Sequence, residues 1–196
     1  MRLSTFAISV GLLIGGLTSH VPSQAQTIEY RLLATNRTST LEEEMNEAAA
    51  VGYRVDAVMG GETSFGGNEG VVIMSRLADD HSADGRYQYK LLATNRTSTM
   101  QEEMQEAGDA GYEYVGQTIF SSTFGGREVA VVLEYDQEAE LAEYEYLLLA
   151  TRRTGTMQEE LQEAGENGFE LAGMTVHDTS FGGDEVVAIL RRERAR

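Results

Sequence analysis

The chain contains three copies of one unit, and this repetition constrains the fold more than any other feature. Residues 32–40, LLATNRTST, recur unchanged at 91–99 and with two substitutions at 148–156. The segment QEEMQEAG at 101–108 returns as QEELQEAG at 158–165. Duplicated modules more often multiply a surface than a catalytic site. The repeat therefore predicts an architecture and a binding role, and it leaves the activity open.

Residues 1–25 have the pattern of an export signal. Arg2 precedes an apolar segment at 6–17, and small residues stand at Ser23 and Ala25, where cleavage would leave Gln26 as the new N-terminus. An uncleaved membrane anchor is the alternative, but the apolar run is shorter than the roughly 20 residues that a spanning helix needs. We therefore expect a periplasmic or secreted protein, which has no disulfide because the chain has no Cys.

The composition is strongly acidic. Thirty-two Asp and Glu against 15 Lys and Arg give a formal net charge of −17. Such a surface repels nucleic-acid phosphates and anionic lipids. We expect no nucleic-acid partner and, after cleavage of the leader, no membrane partner.

Each copy carries signals for a strand, a helix and two further strands. Residues 28–35 alternate as a strand, and Leu41, Met45 and Ala48 form one helical stripe. The T-x-x-E pattern of Thr40 predicts a capping box at the helix start. Gly52 predicts the left-handed residue that ends the helix.

The third strand of each copy is apolar on both faces, which is typical of a central strand. This predicts an α+β fold of three tandem β-α-β-β modules. Each module is a three-stranded sheet with the order first–third–second strand and one helix on one face. The modules are placed at residues 28–77, 87–135 and 144–192.

One helix cannot cover both faces of such a sheet. We expect the uncovered face to carry Leu33, Val58 and Val72 in copy one, and Leu147, Leu149 and Met174 in copy three. A module of this size is marginal alone. We therefore expect the three sheets to pack into one body through these faces, as a pseudo-threefold cluster or as a row.

The motif order resembles a small bacterial domain family of unknown function. Its single-copy members read Y-E-Y-K-V-V, then L-N-E-L-G-x-E-G-W-E-L-V, then V-x-I-F-K-R. Copies two and three resemble it best, over 87–135 and 144–192, whereas Ala49 and Arg54 depart from the pattern in copy one. Tyr or Phe replaces the Trp of the family throughout. The resemblance implies a compact α+β module and no established activity.

An arginine precedes each helix, namely Arg37, Arg96 and Arg153. With the N–H groups of the helix start, these arginines could hold a small anionic ligand such as a phosphate or carboxylate. The alternative is that the glutamates of the same helices neutralise them.

A Phe-Gly-Gly loop follows the second strand of each copy, with the rings at Phe65, Phe124 and Phe181. The glycines suit a tight hairpin. Three exposed rings on one surface would form a protein-binding patch, and rings folded over their own sheets would be core residues.

Catalytic signals are few. The chain has no Cys nucleophile, His20 lies in the leader, His81 lies in a linker, and His177 occurs in one copy only. The linker residues Asp80 to Gly85 match only the first half of a calcium loop. We expect no catalytic residue, cofactor or metal, and we predict an exported, non-enzymatic binding or scaffolding protein. The alternative is a hydrolase-type enzyme with a carboxylate site between modules.

Overall fold

The computed structural model describes residues 26–63, 67–121, 127–178 and 184–194. Each copy of the repeat folds as strand, helix, strand, strand. Module 1 consists of β1 Ile28–Thr35, α1 Thr38–Ala49, β2 Arg54–Thr63 and β3 Gly67–Leu77. Module 2 consists of β4 Tyr87–Thr94, α2 Thr97–Asp109, β5 Glu113–Ser121 and β6 Arg127–Asp136. Module 3 consists of β7 Tyr144–Thr151, α3 Thr154–Glu166, β8 Glu170–Asp178 and β9 Asp184–Glu193.

Each module forms its own antiparallel three-stranded sheet. The orders are β1-β3-β2, β4-β6-β5 and β7-β9-β8. The last strand of each module is central because it is apolar on both faces, and Val72, Val131 and Val132 are fully buried. The helix joins the two outer strands. The predicted α+β fold and strand order are confirmed.

The helices end as their glycines predict. Gly52 has a φ of 86°, and its N–H bonds to the carbonyl of Ala49 at 3.0 Å. The N–H of Tyr53 bonds to the carbonyl of Ala48 at 3.1 Å, which completes a Schellman motif. Gly111 and Gly168 have φ values of 88° and 81° in the same position.

The predicted capping box is wrong. α1 begins at Thr38 with the extended residue Arg37 at the N-cap, and no side chain caps it. Thr40 is therefore the third helical residue and lies too far along the helix to cap its start. Just before the helix, Thr35 Oγ1 accepts the N–H of Arg37 at 3.2 Å. Arg96 and Arg153 occupy the same position.

The predicted assignment of sheet faces is also wrong. Leu33 lies directly opposite Val72 in the β1–β3 ladder, and Val58 lies opposite the same residue. This face packs against α1, the helix of its own module. Leu147 and Leu149 pack under α3 in the same way, and Met174 lies opposite Ala188 on this same face, where it is exposed instead of packing between modules. Leu32 and Leu33 are both apolar and point to opposite faces, so alternation alone does not tell which face carries the helix.

The modules stack in a row. α1 packs on β4 and β2 packs on β5, and α2 packs on β7 as β5 packs on β8. Every extensive contact between described elements of different modules joins modules 1 and 2 or modules 2 and 3. The two larger cores each combine side chains of two modules. Of the two arrangements left open by the sequence, the row is the one observed.

Candidate functional site

The junction between modules 1 and 2 closes the outer edge of β4 with side chains of α1. Among the described strands, β4 has a sheet neighbour, β6, on one edge only. On the other edge, Asn46 Nδ2 donates to the carbonyl of Tyr89, and the N–H of Tyr89 donates to Asn46 Oδ1, both at 2.9 Å. The N–H of Leu91 donates to Glu42 Oε2 at 2.7 Å. An open strand edge leaves such groups unpaired, and here the preceding helix pairs them.

The junction between modules 2 and 3 repeats this arrangement with two glutamines. Gln101 accepts the N–H of Leu148 at 2.7 Å and donates to the carbonyl of Tyr146 at 2.8 Å. Gln105 accepts the N–H of Tyr146 at 3.1 Å and donates to the carbonyl of Tyr144 at 3.2 Å. Glutamines at i and i+4 lie one turn apart on one helix face. They therefore match the outward-facing polar groups of a strand.

A buried tyrosine from the following module anchors each junction. Tyr89 and Tyr146 are only 3% and 2% exposed. The hydroxyl of Tyr89 accepts the N–H of Val55 at 2.9 Å, and that of Tyr146 accepts the N–H of Tyr114 at 2.7 Å. Burial is the main cause that raises the pKa of both hydroxyls. Tyr114, which lies at the second junction, has its pKa raised by burial to about 12.

An ion pair crosses each junction with opposite polarity. At the first, Arg54 of module 1 binds the buried carboxylate of Glu134 of module 2, with Nη2–Oε1 at 2.8 Å. Tyr89 also donates to Glu134, at 2.7 Å. At the second, Glu113 of module 2 is paired with Arg191 of module 3. Arg54 and Glu113 are equivalent in the repeat, as are Glu134 and Arg191, so the two charges exchange places.

The stacked sheets approach closely at two equivalent glycines. A Cβ on Gly116 would lie 2.7 Å from Cγ2 of Val58 in module 1. A Cβ on Gly173 would overlap the hydroxyl of Tyr114 in module 2. Gly108 of α2 is similarly restricted, because its Cβ would overlap the carbonyl oxygen of Tyr144. The neighbouring modules are therefore in direct contact at these glycines, with no space for a Cβ.

In the described part of the chain, the first module leaves its copy of this surface open. We name Ile28, Tyr30 and Leu32 of β1 the open head. They are 49%, 67% and 55% exposed. Tyr30 is the repeat equivalent of Tyr89 and Tyr146, which are buried. Within the described residues, the sheet neighbour of β1 is β3 alone.

The third module leaves the complementary surface open. We name it the open tail, and it consists of Gln158, Gln162 and Gly165 on α3 with Leu171, Met174 and Val176 on β8. Both glutamines are exposed, and a Cβ on Gly165 would have no neighbour within 4 Å. Leu171 and Met174 are 57% and 61% exposed. The two ends of the row thus expose the two halves of one junction.

A cleft of about 100 Å³ at the second junction is lined by carboxylates. Glu113, Glu134, Asp136 and Glu140 contribute to its wall. Glu134 is bound to Arg54, and Asp136 accepts two bonds from Arg86 at 2.8 and 2.6 Å. These bonds from Arg86 lower the pKa of Asp136. The Arg54–Glu134 pair therefore joins modules 1 and 2, whereas Arg86, directly before β4, holds the end of β6 in the same module.

The three arginines predicted as a site lie one at the start of each helix, and all are exposed. Their side chains make no ion pair with the described part of the chain, so the expected neutralisation by the helix glutamates does not occur there. Arg96 borders a mainly apolar cavity of about 20 Å³, which has room for roughly one water. Anion binding by Arg37, Arg96 and Arg153 stays a prediction.

The other predicted sites contribute little to the described surface. Phe65, Phe124 and Phe181 lie outside the described residues, as does the side chain of His177. The linker carboxylate of Asp84 is bonded to His81 at 3.0 Å. In the described ranges, no three His, Asp or Glu side chains are grouped so that they could hold a metal ion. No helix of the described segments has the length and apolarity that crossing a membrane requires.

The residues that close the junctions were not singled out from the sequence. The signal that could have revealed them is the pair of polar residues at i and i+4, at 42 and 46, 101 and 105, and 158 and 162. This pair recurs in every copy, beside the apolar stripe rather than within it.

Comparisons with family models, with curated proteins and with solved structures find no match for this chain. The resemblance to a bacterial domain family therefore remains a prediction from its motifs.

The ion pair of the first junction gives a prediction for charge reversal. We expect Arg54→Glu or Glu134→Arg alone to lower the free energy of unfolding by roughly 1–3 kcal/mol, because each sets two like charges against each other and leaves the charge at the buried position 134 without an opposite partner. The double variant reproduces the polarity of the second junction and should recover most of that loss. Denaturant unfolding of all four proteins measures the coupling. A double variant as unstable as the sum of the singles would contradict this interpretation.

The buried tyrosines give a prediction for alkaline pH. Burial raises the pKa of Tyr89 and Tyr146 above the ordinary value of 10.0. A pKa raised on folding contributes stability that is fully present below the unfolded value and is lost as pH rises through the folded value. We expect the free energy of unfolding to fall steeply above about pH 10.

The matched variant is Tyr89→Phe combined with Tyr146→Phe, which removes both hydroxyls. Urea unfolding is measured between about pH 8 and about pH 11, a range that includes the ordinary tyrosine pKa of roughly 10. Over this range the free energy of unfolding of the variant should fall less than that of the native chain. Parallel declines in the two proteins would show that these hydroxyls do not set the pH dependence.

Proposed function

We propose that the chain is an exported, non-enzymatic scaffolding or binding protein that acts through the two open ends of its row of modules. Export is inferred from the leader at residues 1–25. The binding role is inferred from the ends themselves, since each presents apolar side chains together with hydrogen-bonding groups.

One comparison carries the proposal. Tyr30 is 67% exposed, whereas its equivalents Tyr89 and Tyr146 are 3% and 2% exposed. The same residue type at the same position is thus covered by protein at both internal junctions and uncovered at the head. Surfaces that combine apolar contact with strand-edge hydrogen bonds are typical of protein recognition.

The ends favour a protein partner over a small anionic ligand. The head is an extended strand rather than a pocket, and small-molecule sites are usually concave. The three side chains that define the head carry no charge to attract an anion.

A hydrolase with its site between modules is the second candidate, and the carboxylate-lined cleft favours it. Its carboxylates Glu134 and Asp136 are already bound by Arg54 and Arg86. A general acid needs a carboxyl whose pKa is raised, and the pKa of Asp136 is lowered. The cleft therefore supports a structural role better than a catalytic one.

The proposal is tested by photo-crosslinking in the native host. We expect a photoreactive residue at position 30 or position 171 to give defined protein adducts. The control is position 47, where Glu47 is exposed on α1. Equal labelling at all three positions would contradict binding through the ends.

The enzyme alternative is tested separately with a panel of ester, glycoside and peptide substrates. The proposal predicts no turnover above buffer. Turnover that Glu134→Gln or Glu113→Gln abolishes, in a protein that still folds, would overturn the proposal and establish the hydrolase.

A further inference from the structure

We propose that the open tail of one copy binds the open head of a second copy and so repeats, between chains, the junction that the chain forms twice within itself. This inference rests on the proposed function and names the partner as a second copy of this chain. The two uncovered surfaces are the two halves of the contact seen at both internal junctions, so the contact between chains would continue an interface that the chain already forms.

The hydrogen-bonding groups match. Gln158 and Gln162 occupy the positions of Gln101 and Gln105, and both are exposed. By the pattern of the second junction, they would accept the outward N–H groups of Leu32 and Tyr30 in the second copy. The edge of β1 would then be closed as those of β4 and β7 are.

The anchoring tyrosine also has its place. The hydroxyls of Tyr89 and Tyr146 accept the N–H groups of Val55 and Tyr114. Leu171 is the equivalent residue in module 3, since all three stand directly before the bulge of the second strand. Tyr30 of the second copy would accept the N–H of Leu171 and cover its exposed side chain.

The charges permit this contact. Glu170 of module 3 is the repeat equivalent of Arg54 and Glu113. Ser75 of module 1 is the repeat equivalent of Glu134 and Arg191. The contact between chains would therefore place Glu170 near Ser75, which is neither an ion pair nor a like-charge repulsion. Since no ion pair holds it, the association is not weakened by salt.

Two differences in size make the contact between chains weaker than those within the chain. Ala57 stands where Gly116 and Gly173 allow close approach, and Met59 stands in the place of Thr118. The flexible Met174 faces this region and can move aside. Free chains also pay an association entropy that tethered modules do not. The assembly is therefore reversible and concentration-dependent, and a head-to-tail contact builds open rows or rings.

The experiment is sedimentation velocity on the purified chain over a dilution series, with one variant for each end. Gly165 of α3 is the repeat equivalent of Gly108 of α2, where the next module makes contact. Gly165→Arg therefore fills the space that is open on α3. Tyr30→Arg changes the exposed anchor of the head. Gln88→Arg, on an exposed residue of the middle module, is the charge-matched control. Circular dichroism and denaturant midpoints confirm that all four proteins fold.

We expect the native chain and Gln88→Arg to form multiples of the 21.5 kDa chain as concentration rises. Gly165→Arg and Tyr30→Arg should each remain monomeric alone, yet form a one-to-one dimer when mixed, because one retains the head and the other the tail. Raising the salt so that the Debye length falls from about 30 Å to about 8 Å should strengthen the association, since it screens the repulsion between acidic chains.

A native chain that stays monomeric at every concentration would overturn the inference. So would loss of association in only one of the two end variants, because that result indicates an end that pairs with itself. Neither result bears on the crosslinking or turnover tests, so failure of this inference is distinguishable from failure of the proposed function.

Discussion

The structure depends on how the outer edge of the first strand in each module is closed. The central strand pairs with one edge of this first strand, and the other edge has polar backbone groups that need partners. Asn46 with Glu42, and Gln105 with Gln101, supply these partners from the helix of the preceding module. Module 1 thereby completes module 2, and module 2 completes module 3. The row, the shared cores and the unlike ends all follow from this dependence.

Near-identical modules risk docking in the wrong order, and the charges at the junctions act against it. Arg54 faces Glu134 at the first junction, and Glu113 is paired with Arg191 at the second. Docking module 1 directly on module 3 would bring Arg54 to Arg191. Docking the tail of one module 2 on the head of another would bring Glu113 to Glu134. Each error places like charges together, which is how related interfaces exclude wrong partners.

Much of the module could be predicted from the sequence, because the signals were local. The apolar third strand fixed the sheet order, and Gly52, Gly111 and Gly168 marked the helix ends. The predicted helix start was wrong because the helix begins at Thr38, two residues before Thr40, with Arg37 as its N-cap. The face covered by the helix was wrong because Leu32 and Leu33 are equally apolar and point to opposite sides.

The junctions could not be predicted, because their contacts form between modules and not within one module. Gln101 and Gln105 have the pattern of ordinary solvent-exposed helix residues until a strand edge is placed beside them. Likewise, nothing local to Tyr30 distinguishes it from Tyr89 and Tyr146; the difference is that, among the described residues, no module lies against it. The ion pairs of Arg54 and Arg191 cross the junctions, so each arginine has its partner in a neighbouring module.

Residue-resolved amide hydrogen exchange on a dilute, monomeric sample tests the central claim most directly. The account predicts strong protection of the N–H groups of Tyr89, Leu91, Tyr146 and Leu148, which helix side chains accept. It predicts little protection of the equivalent N–H groups of Tyr30 and Leu32, which lie on an open edge. Equal protection in all three modules would contradict the account, because the edges would then be closed without a preceding helix.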